Sequence, residues 1–195
     1  NINIDFDSPI LINNSPNNIA ISGSVISLSI PLIGISGNLE NVSATISSTS
    51  SYVDILSDTV DYGTISLGQS EYGHGFEVYV LPSAVDGENL ELRLEITDGS
   101  DIWIGQINLS ASGAYLSPAT ATSVEPGTAG NLNIELTNLG SIGSNEVSVE
   151  LLYDGNMMDV VNSTASYSSI SPGQSSGSNE IMITVDEDVI VGTIL

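Results

Sequence analysis

Residues 19–35 have the sequence IAISGSVISLSIPLIGI, in which Ile, Val and Leu recur at nearly every second position. Period-two alternation places apolar side chains on one face of a β-strand and polar ones on the other. The same texture returns in residues 41–47, 76–80, 90–96, 102–109, 132–136, 147–151 and 181–185. No window of a dozen residues keeps apolar positions at helical spacing. The sequence therefore predicts an all-β protein made of antiparallel sheets with one solvated face.

The chain repeats itself at a spacing of about 105 residues. Matching positions include Val42-Ser43 with Val147-Ser148, Asp54-Ile55 with Asp159-Val160, Tyr62 with Tyr167, Ile65-Ser66 with Ile170-Ser171, and Gly68-Gln69-Ser70 with Gly173-Gln174-Ser175. A repeat of about a hundred residues can bury one sandwich-sized core. Two tandem antiparallel β-sandwich domains are therefore predicted.

The predicted boundaries give an N-terminal strand segment at 1–18, a first domain at 19–112 and a second domain at 113–195. The repeat lays Ile2-Asn3-Ile4 over Ile107-Asn108-Leu109, so segment 1–18 is interpreted as the closing strand of a preceding repeat or as a donor strand. Leu195 is the counterpart of Leu90, so the second domain is predicted to lack its last strands within this window. A window cut from a longer chain and a strand donated by a neighbouring subunit both explain this.

The charge balance excludes two classes of partner. The chain has 24 Asp and Glu residues against a single basic residue, Arg93, and a formal net charge of −23. Such a surface repels phosphate backbones and anionic lipid, so we expect no nucleic acid binding. No apolar run approaches the roughly 18 to 20 residues of a membrane span, so we expect no membrane insertion.

Composition also bears on location and modification. The chain has no cysteine and is rich in Ser, Thr, Asn and Gly, a make-up typical of prokaryotic surface and secreted proteins, including S-layer and filament subunits. Four N-x-Ser/Thr sequons are candidate glycosylation sites: Asn13, Asn41, Asn108 and Asn162. In a chain this rich in Asn and Ser, chance occurrence is the alternative explanation.

Three segments resemble a known family. Residues 38–70 (NLENVSATISSTSSYVDILSDTVDYGTISLGQS), 76–80 (FEVYV) and 86–103 (DGENLELRLEITDGSDIW) resemble Ig-like repeats of large secreted bacterial proteins. Such repeats follow gingipain-type or subtilisin-like peptidase domains or occur in adhesins. Residues 126–152 (PGTAGNLNIELTNLGSIGSNEVSVELL) and 170–175 (ISPGQS) are similar to the CARDB type of cell-adhesion-related domain. The resemblance implies Ig-like sandwiches on an extracellular protein and carries over no catalytic residue.

The residues present do not favour catalysis. A Ser-His-Asp triad needs an imidazole, and the only histidine, His74, lies between glycines in a segment typical of an exposed turn. Nucleophilic catalysis by Lys or Cys is excluded, because the chain contains neither residue. Trp103 is interpreted as core packing, with a sugar platform as the alternative. We predict that the protein is not an enzyme.

Calcium is the one cofactor that the carboxylates suggest, because Ca²⁺ prefers oxygen ligands. Three pairs are candidates: Asp5 and Asp7 on one strand face, Asp98 and Asp101 around a turn, and Asp186 and Asp188 before the last strand. None has EF-hand spacing, so solvated loops are the competing interpretation. Arg93 alternates with Glu91 and Glu95, which indicates charge pairing on the solvated face.

These observations predict a non-catalytic extracellular or cell-surface module of a prokaryotic protein. It would act as a spacer, a stalk, or the repeating subunit of a filament or surface layer. Its partners would be copies of itself or neighbouring Ig-like domains, joined through strand edges or ends. The alternative is an accessory module of a secreted peptidase or adhesin that binds glycan, calcium or a protein.

Overall fold

The computed structural model describes residues 4–6, 10–11, 19–120, 122–177 and 179–192. Within these ranges every regular element is a β-strand, so the predicted all-β fold class is confirmed. The chain divides into two compact units, Asn1–Gly113 and Ala114–Leu195, called the first and the second unit below. In the described part of the chain, no helix is long and apolar enough to cross a membrane.

The described strands of the first unit form two sheets. The strands are β1 (Ile4–Phe6), β2 (Ile10–Leu11), β3 (Ala20–Ile21), β4 (Val25–Gly34), β5 (Leu39–Ser47), β6 (Val53–Ser57), β7 (Thr59–Ile65), β8 (Ser70–Val80), β9 (Asn89–Thr97) and β10 (Ile102–Ser112). One sheet has the order β1–β4–β8–β6, with β2 also paired to β4, and the other has the order β3–β10–β9–β5–β7. All pairs are antiparallel except β3 with β10.

The two sheets of the first unit share one apolar core. The inward residues of β4 and β9 are almost fully buried, and they alternate with more exposed polar residues along β9. The largest fully buried side chains of this unit are Phe76, Ile26, Leu28, Ile30, Leu32, Ile46, Ile65, Leu90, Leu92, Leu94 and Ile96. Each such side chain contributes about 2 kcal/mol by leaving water. A sheet-on-sheet core of this kind is a β-sandwich.

The second unit has a four-stranded and a two-stranded sheet among its described residues. Its strands are β11 (Leu116–Thr120), β12 (Ala129–Asn138), β13 (Val147–Glu150), β14 (Met158–Asn162), β15 (Thr164–Tyr167) and β16 (Asn179–Val185). The larger sheet has the order β11–β12–β16–β14, and the smaller consists of β13 and β15. A smaller core, centred on Ile134, Leu136, Tyr167 and Ile181, lies within this unit.

The two units repeat one pairing scheme. In the first unit Ala44 pairs with Val60, and in the second unit their counterparts 105 residues on, Val149 and Ala165, pair in the same register. β14 pairs with β16 as β6 pairs with β8, and the register slips at equivalent places. The sequence repeat therefore corresponds to a repeat of strand order and register.

A tyrosine fixes the same point of each unit. The Tyr62 hydroxyl donates to the Ile30 carbonyl at 2.7 Å, and the Tyr167 hydroxyl donates to the Ile134 carbonyl at 2.9 Å. In each case the tyrosine side chain and the carbonyl belong to different sheets. The hydroxyl therefore ties the two sheets together across the core and satisfies a strand carbonyl there.

Replacing Tyr62 with phenylalanine should lower the free energy of unfolding of the first unit by about 1 kcal/mol, because the carbonyl of Ile30 loses its donor. Tyr167→Phe should have the same effect on the second unit. In the double variant the two losses should add, because the residues lie in separate compact units. Urea unfolding of the three variants measures these free energies. A double variant that is as stable as either single variant would contradict the prediction.

The Tyr62 hydroxyl also makes stability depend on alkaline pH. Burial raises the pKa of Tyr62 well above its ordinary value, and a hydrogen bond with the Gly73 backbone opposes this weakly. An unfolded tyrosine loses its proton near pH 10, whereas the folded one keeps it. The contribution of the buried, neutral hydroxyl to the free energy of unfolding should be fully present below about pH 10 and should fall as the pH rises further. Melting curves between about pH 8 and 12 should show a steeper loss for the natural chain than for Tyr62→Phe. Parallel slopes would contradict this prediction.

A shared turn holds the end of the central strand in both units. Gly68 N donates to Gly34 O at 2.7 Å, and Gly173 N donates to Asn138 O at 2.8 Å. Both donor glycines have positive φ, 73° and 70°, a backbone conformation that side chains disfavour. The repeated Gly-Gln-Ser motif is thus a turn that clamps β4 and β12.

The N-terminal strand lies against its own unit. Ile4 pairs with Gly34, and Leu116 of β11 pairs with Asn138. Gly34 and Asn138 are equivalent because the shared turn bonds to both, so β1 corresponds to β11. The sequence match had instead aligned this segment with β10. The structure thus has Ile4–Phe6 inside the first unit rather than outside it, and donation to another subunit stays a prediction.

Candidate functional sites

The first calcium candidate lies on β1. Asp5 is exposed, and its Oδ1 accepts a hydrogen bond from the next backbone amide, Phe6 N, at 2.9 Å. Asp7 lies outside the described residues. The structure therefore shows one carboxylate of this pair, occupied with its own backbone.

Asp98 and Asp101 lie in the turn that joins the antiparallel strands β9 and β10, which confirms the predicted turn. Asp98 Oδ1 accepts hydrogen bonds from Asp101 N at 2.8 Å and Ser100 N at 2.9 Å. These two bonds hold the pKa of the exposed Asp98 carboxyl below its ordinary value. The carboxylate therefore closes the turn by bonding to backbone amides, the local chemistry that makes Asp frequent in turns.

Titration of the hairpin turn tests this arrangement. In an NMR titration, the Asp98 carboxyl should ionise at lower pH than an unstructured aspartate, because the charged form accepts two amide hydrogen bonds. Its contribution to stability is complete above the unfolded pKa and is lost as the pH falls through the folded one. An Asp98 pKa at or above that of a model peptide would contradict the geometry.

Asp186 and Asp188 follow β16. Asp188 N donates to Asp186 Oδ1 at 3.0 Å. Both residues, with Asn156, Met157 and neighbouring apolar side chains, line a cleft of about 360 Å³ in the second unit. In the ranges that the structure describes, no three His, Cys, Asp or Glu residues are grouped so that they could hold a metal ion. A calcium site here stays a prediction.

Three of the four sequon asparagines are described, and all three are exposed. Asn41 lies on β5 with a positive φ of 54°, Asn108 lies on the outer face of β10, and Asn162 ends β14. Asn13 lies outside the described residues. The described amide groups are therefore accessible to a modifying enzyme, and their occupancy stays a prediction.

Arg93 lies on the outer face of the β5–β9–β10 sheet. Its guanidinium bonds Glu95 Oε2 at 2.9 Å, as the alternation predicted, and the two side chains are 48% and 39% exposed. Such exposed pairs contribute little stability. Beside it lies a cleft of about 480 Å³, lined by Ser47, Ser48, Thr49, Glu91, Leu92, Arg93, Ile104, Gly105 and Gln106. Sequence reasoning missed this cleft, because residues 47–49, which follow β5, are brought beside the β9–β10 hairpin only by the pairing of β5 with β9.

The structure describes both residues considered for catalysis or sugar binding, and it has His74 within a strand rather than in the predicted turn. His74 is exposed on β8 and pairs with Ser29 of β4. Trp103 is half-buried and packs against the core of the first unit, which confirms the core-packing interpretation.

β13 differs from its counterpart β5 in its described pairing. Among the described residues, β13 pairs with β15 alone, whereas β5 pairs with both β7 and β9. Val147, Val149 and Leu151 are half-buried, and Leu152 is 80% exposed. At the spacing of the repeat, β9 corresponds to residue 194 onward, which lies outside the described residues.

Comparison with known proteins identifies no family for this chain. No family model matches the chain, and no curated protein matches it. Among solved structures, a protein of unknown function from Porphyromonas gingivalis W83 is 14% identical, with a TM-score of 0.32 over 94% of this chain and 83% of that one. A chaperone–tip adhesin complex described as vital for activating CFA/I fimbriae biogenesis is 11% identical, with a TM-score of 0.28 over 89% and 86%. Similarity this low carries no argument about function, and the resemblance to CARDB-type domains stays a prediction.

Proposed function

We propose that this chain is a non-catalytic structural module of an extracellular or cell-surface prokaryotic protein, built from two Ig-like β-sandwich domains. The observation that carries this proposal is that the residues repeated in both units hold the sheets and strands in place. Tyr62 and Tyr167 tie sheets together, and the Gly-Gln-Ser turns clamp the central strands. The shared residues described above serve the framework, so the repeat preserves the shape of a module.

The distribution of charge supports the same proposal. Among the described carboxylates, Asp98 caps a turn and Asp5 lies on an exposed strand face. A net charge of −23 on a 195-residue chain keeps copies apart in solution, so any assembly must act through specific edges. Assembly through specific edges is what a spacer, a stalk, or a repeating subunit of a filament or surface layer needs.

Electron microscopy of native material, combined with intact mass, tests the proposal. Ordered polymers or elongated stalks that contain this chain would support the structural role. Dispersed particles whose binding or hydrolytic activity is lost when this region alone is altered would overturn it. Polymers with a unit mass near 20.2 kDa plus any glycan would indicate a repeating subunit, and much larger units would indicate a spacer.

The Arg93 cleft favours a second candidate function, an accessory module that binds a polar ligand such as a glycan. The cleft offers hydroxyl, amide and guanidinium groups beside the exposed apolar side chain of Ile104. Pockets that combine a few polar groups with apolar walls are typical binding sites. NMR titration with neutral oligosaccharides should then shift the resonances of Gln106 and Arg93. An unchanged spectrum at millimolar sugar would remove this candidate.

A further inference from the structure

We propose that Asp154 is a site of spontaneous modification, at which the folded protein converts aspartate to isoaspartate. The chain contains three Asp-Gly pairs, which begin at Asp86, Asp98 and Asp154. The structure describes all three pairs. Among the described residues, hydrogen bonds hold both reacting groups of the first two pairs and neither group of the third. The inference concerns this modification alone and does not depend on the structural role proposed above.

The reaction joins an aspartate side chain to the next backbone amide. The glycine nitrogen attacks Cγ of the protonated carboxyl group, and one water leaves, made from the carboxyl hydroxyl and the amide hydrogen. The product is a five-membered succinimide ring. A second water opens the ring: attack at one carbonyl restores aspartate, and attack at the other leaves isoaspartate, whose main chain runs through Cβ and Cγ. Glycine favours ring closure because it has no side chain to obstruct the nitrogen.

Both reacting groups are held at Asp86. Its Oδ1 accepts a hydrogen bond from Gly113 N at 3.0 Å. The Gly87 amide, which would attack the carboxyl group, donates to Ala111 O at 2.9 Å. These bonds must break before the nitrogen can reach the carboxyl carbon, so the reaction at this pair requires local opening of the structure.

The hairpin turn holds Asp98 in the same way. Its Oδ1 accepts hydrogen bonds from Ser100 N and Asp101 N. The Gly99 amide donates to Thr97 Oγ1 at 3.0 Å. The two bonds to the carboxylate also keep its pKa below the ordinary value, so a smaller fraction carries the proton that leaves with the water. Three hydrogen bonds therefore oppose ring closure at this pair.

Asp154 lies in a different setting. Asp154 and Gly155 are exposed in the segment 151–157, which joins β13 to β14 and lies outside the strands. Within the part of the chain that the structure describes, the Asp154 carboxylate accepts no hydrogen bond and the Gly155 amide donates none. Met157 N donates to the Tyr153 hydroxyl at 3.2 Å, and this bond holds neither reacting group. The amide nitrogen can therefore approach the carboxyl carbon without local unfolding.

The segment also favours glycine at this place and accommodates the product. A Cβ at Gly155 would overlap the ring of Tyr153, so a larger residue is disfavoured. Isoaspartate adds one main-chain atom outside the strands, where it leaves the pairing of β14 with β16 intact. In the first unit the segment between β5 and β6 has Thr49-Ser50 at the equivalent position. The site therefore belongs to the second unit and not to the framework that both units share.

Incubating the full chain for several weeks at about pH 6, where a fraction of each carboxyl group is protonated, tests the proposal. A glutamate-specific protease then cuts the chain, because trypsin has only Arg93 to cut. Electron-transfer fragmentation of the peptides distinguishes isoaspartate from aspartate. We expect isoaspartate to accumulate at Asp154 at least about tenfold faster than at Asp86 or Asp98, because hydrogen bonds oppose ring closure at those two residues.

Two controls separate the structure from the sequence. Asp154→Glu should lose the signal at this position, because glutamate would have to close a six-membered ring, which forms far more slowly. In concentrated urea the protecting hydrogen bonds are lost, so the three pairs should react at similar rates. Equal rates in the folded chain, no isoaspartate at residue 154, or the same ranking in urea as in the folded chain would each overturn the proposal.

Discussion

Replacing Asn138 with leucine should lower the free energy of unfolding of the second unit by about 3 kcal/mol or more. Asn138 ends β12 and is completely buried. Its Nδ2 donates to Ile142 O at 2.8 Å and to Ile170 O at 2.9 Å. Its Oδ1 accepts from Gly140 N at 3.0 Å and Tyr115 N at 3.2 Å. Leucine fills the space but leaves several buried backbone groups without partners, and each such group costs about 1 to 3 kcal/mol.

Urea unfolding followed at Tyr167 measures the effect. Asn145→Leu is the matched control, because Asn145 is exposed in the loop before β13 and its replacement should change stability by less than about 0.5 kcal/mol. Asn138→Asp keeps the acceptor but loses both donors, so it should also be strongly destabilised. If Asn138→Leu were as stable as the Asn145 control, the amide would not organise the second unit.

Replacing Gly73 with alanine should destabilise the first unit by about 2 kcal/mol, because overpacking a filled site typically costs 1 to 3 kcal/mol. A Cβ at Gly73 would lie 2.2 Å from Cζ of Tyr62 and 2.3 Å from its hydroxyl oxygen. The ring cannot simply move away, since its hydroxyl bonds to the Ile30 carbonyl. The methyl group therefore forces the tyrosine out of its position between the sheets.

A double-mutant cycle isolates this contact. In a Tyr62→Ala background the ring is gone, so Gly73→Ala should cost much less than in the natural chain. Gly177→Ala is a control with open space around its Cβ and should have a small effect. Equal costs of Gly73→Ala in the two backgrounds would show that the ring is not the obstacle.

The all-β fold class and the repeat could be predicted from the sequence because their signals are local or recur at a fixed spacing. Alternation in residues 19–35 is a direct consequence of a strand with one buried face, and β4 lies within it. The match of Tyr62 with Tyr167 marked two tyrosines whose hydroxyls each donate to a carbonyl of the opposite sheet. Both inferences needed only the residue types and their spacing.

Other features depend on contacts between distant segments. Asn138 is one of many asparagines in this chain, and its partners are backbone groups of residues 115, 140, 142 and 170, so composition gives no sign of its role. The strand at Ile4–Phe6 was aligned with β10, because short alternating segments match many others. Its true counterpart, β11, is defined by pairing with the central strand. The residue type made Asp98 a candidate metal ligand, whereas in the structure its carboxylate accepts hydrogen bonds from backbone amides of its own turn.

The central claim is that the second unit repeats the framework of the first in strand order and register. Amide hydrogen exchange of the full chain tests it most directly, because β4 and β8 and their counterparts β12 and β16 are the inner strands of equivalent sheets. We predict that all four strands exchange at least about tenfold more slowly on average than the exposed turn at residues 98–101. Fast exchange in β12 and β16 beside slow exchange in β4 and β8 would contradict the account.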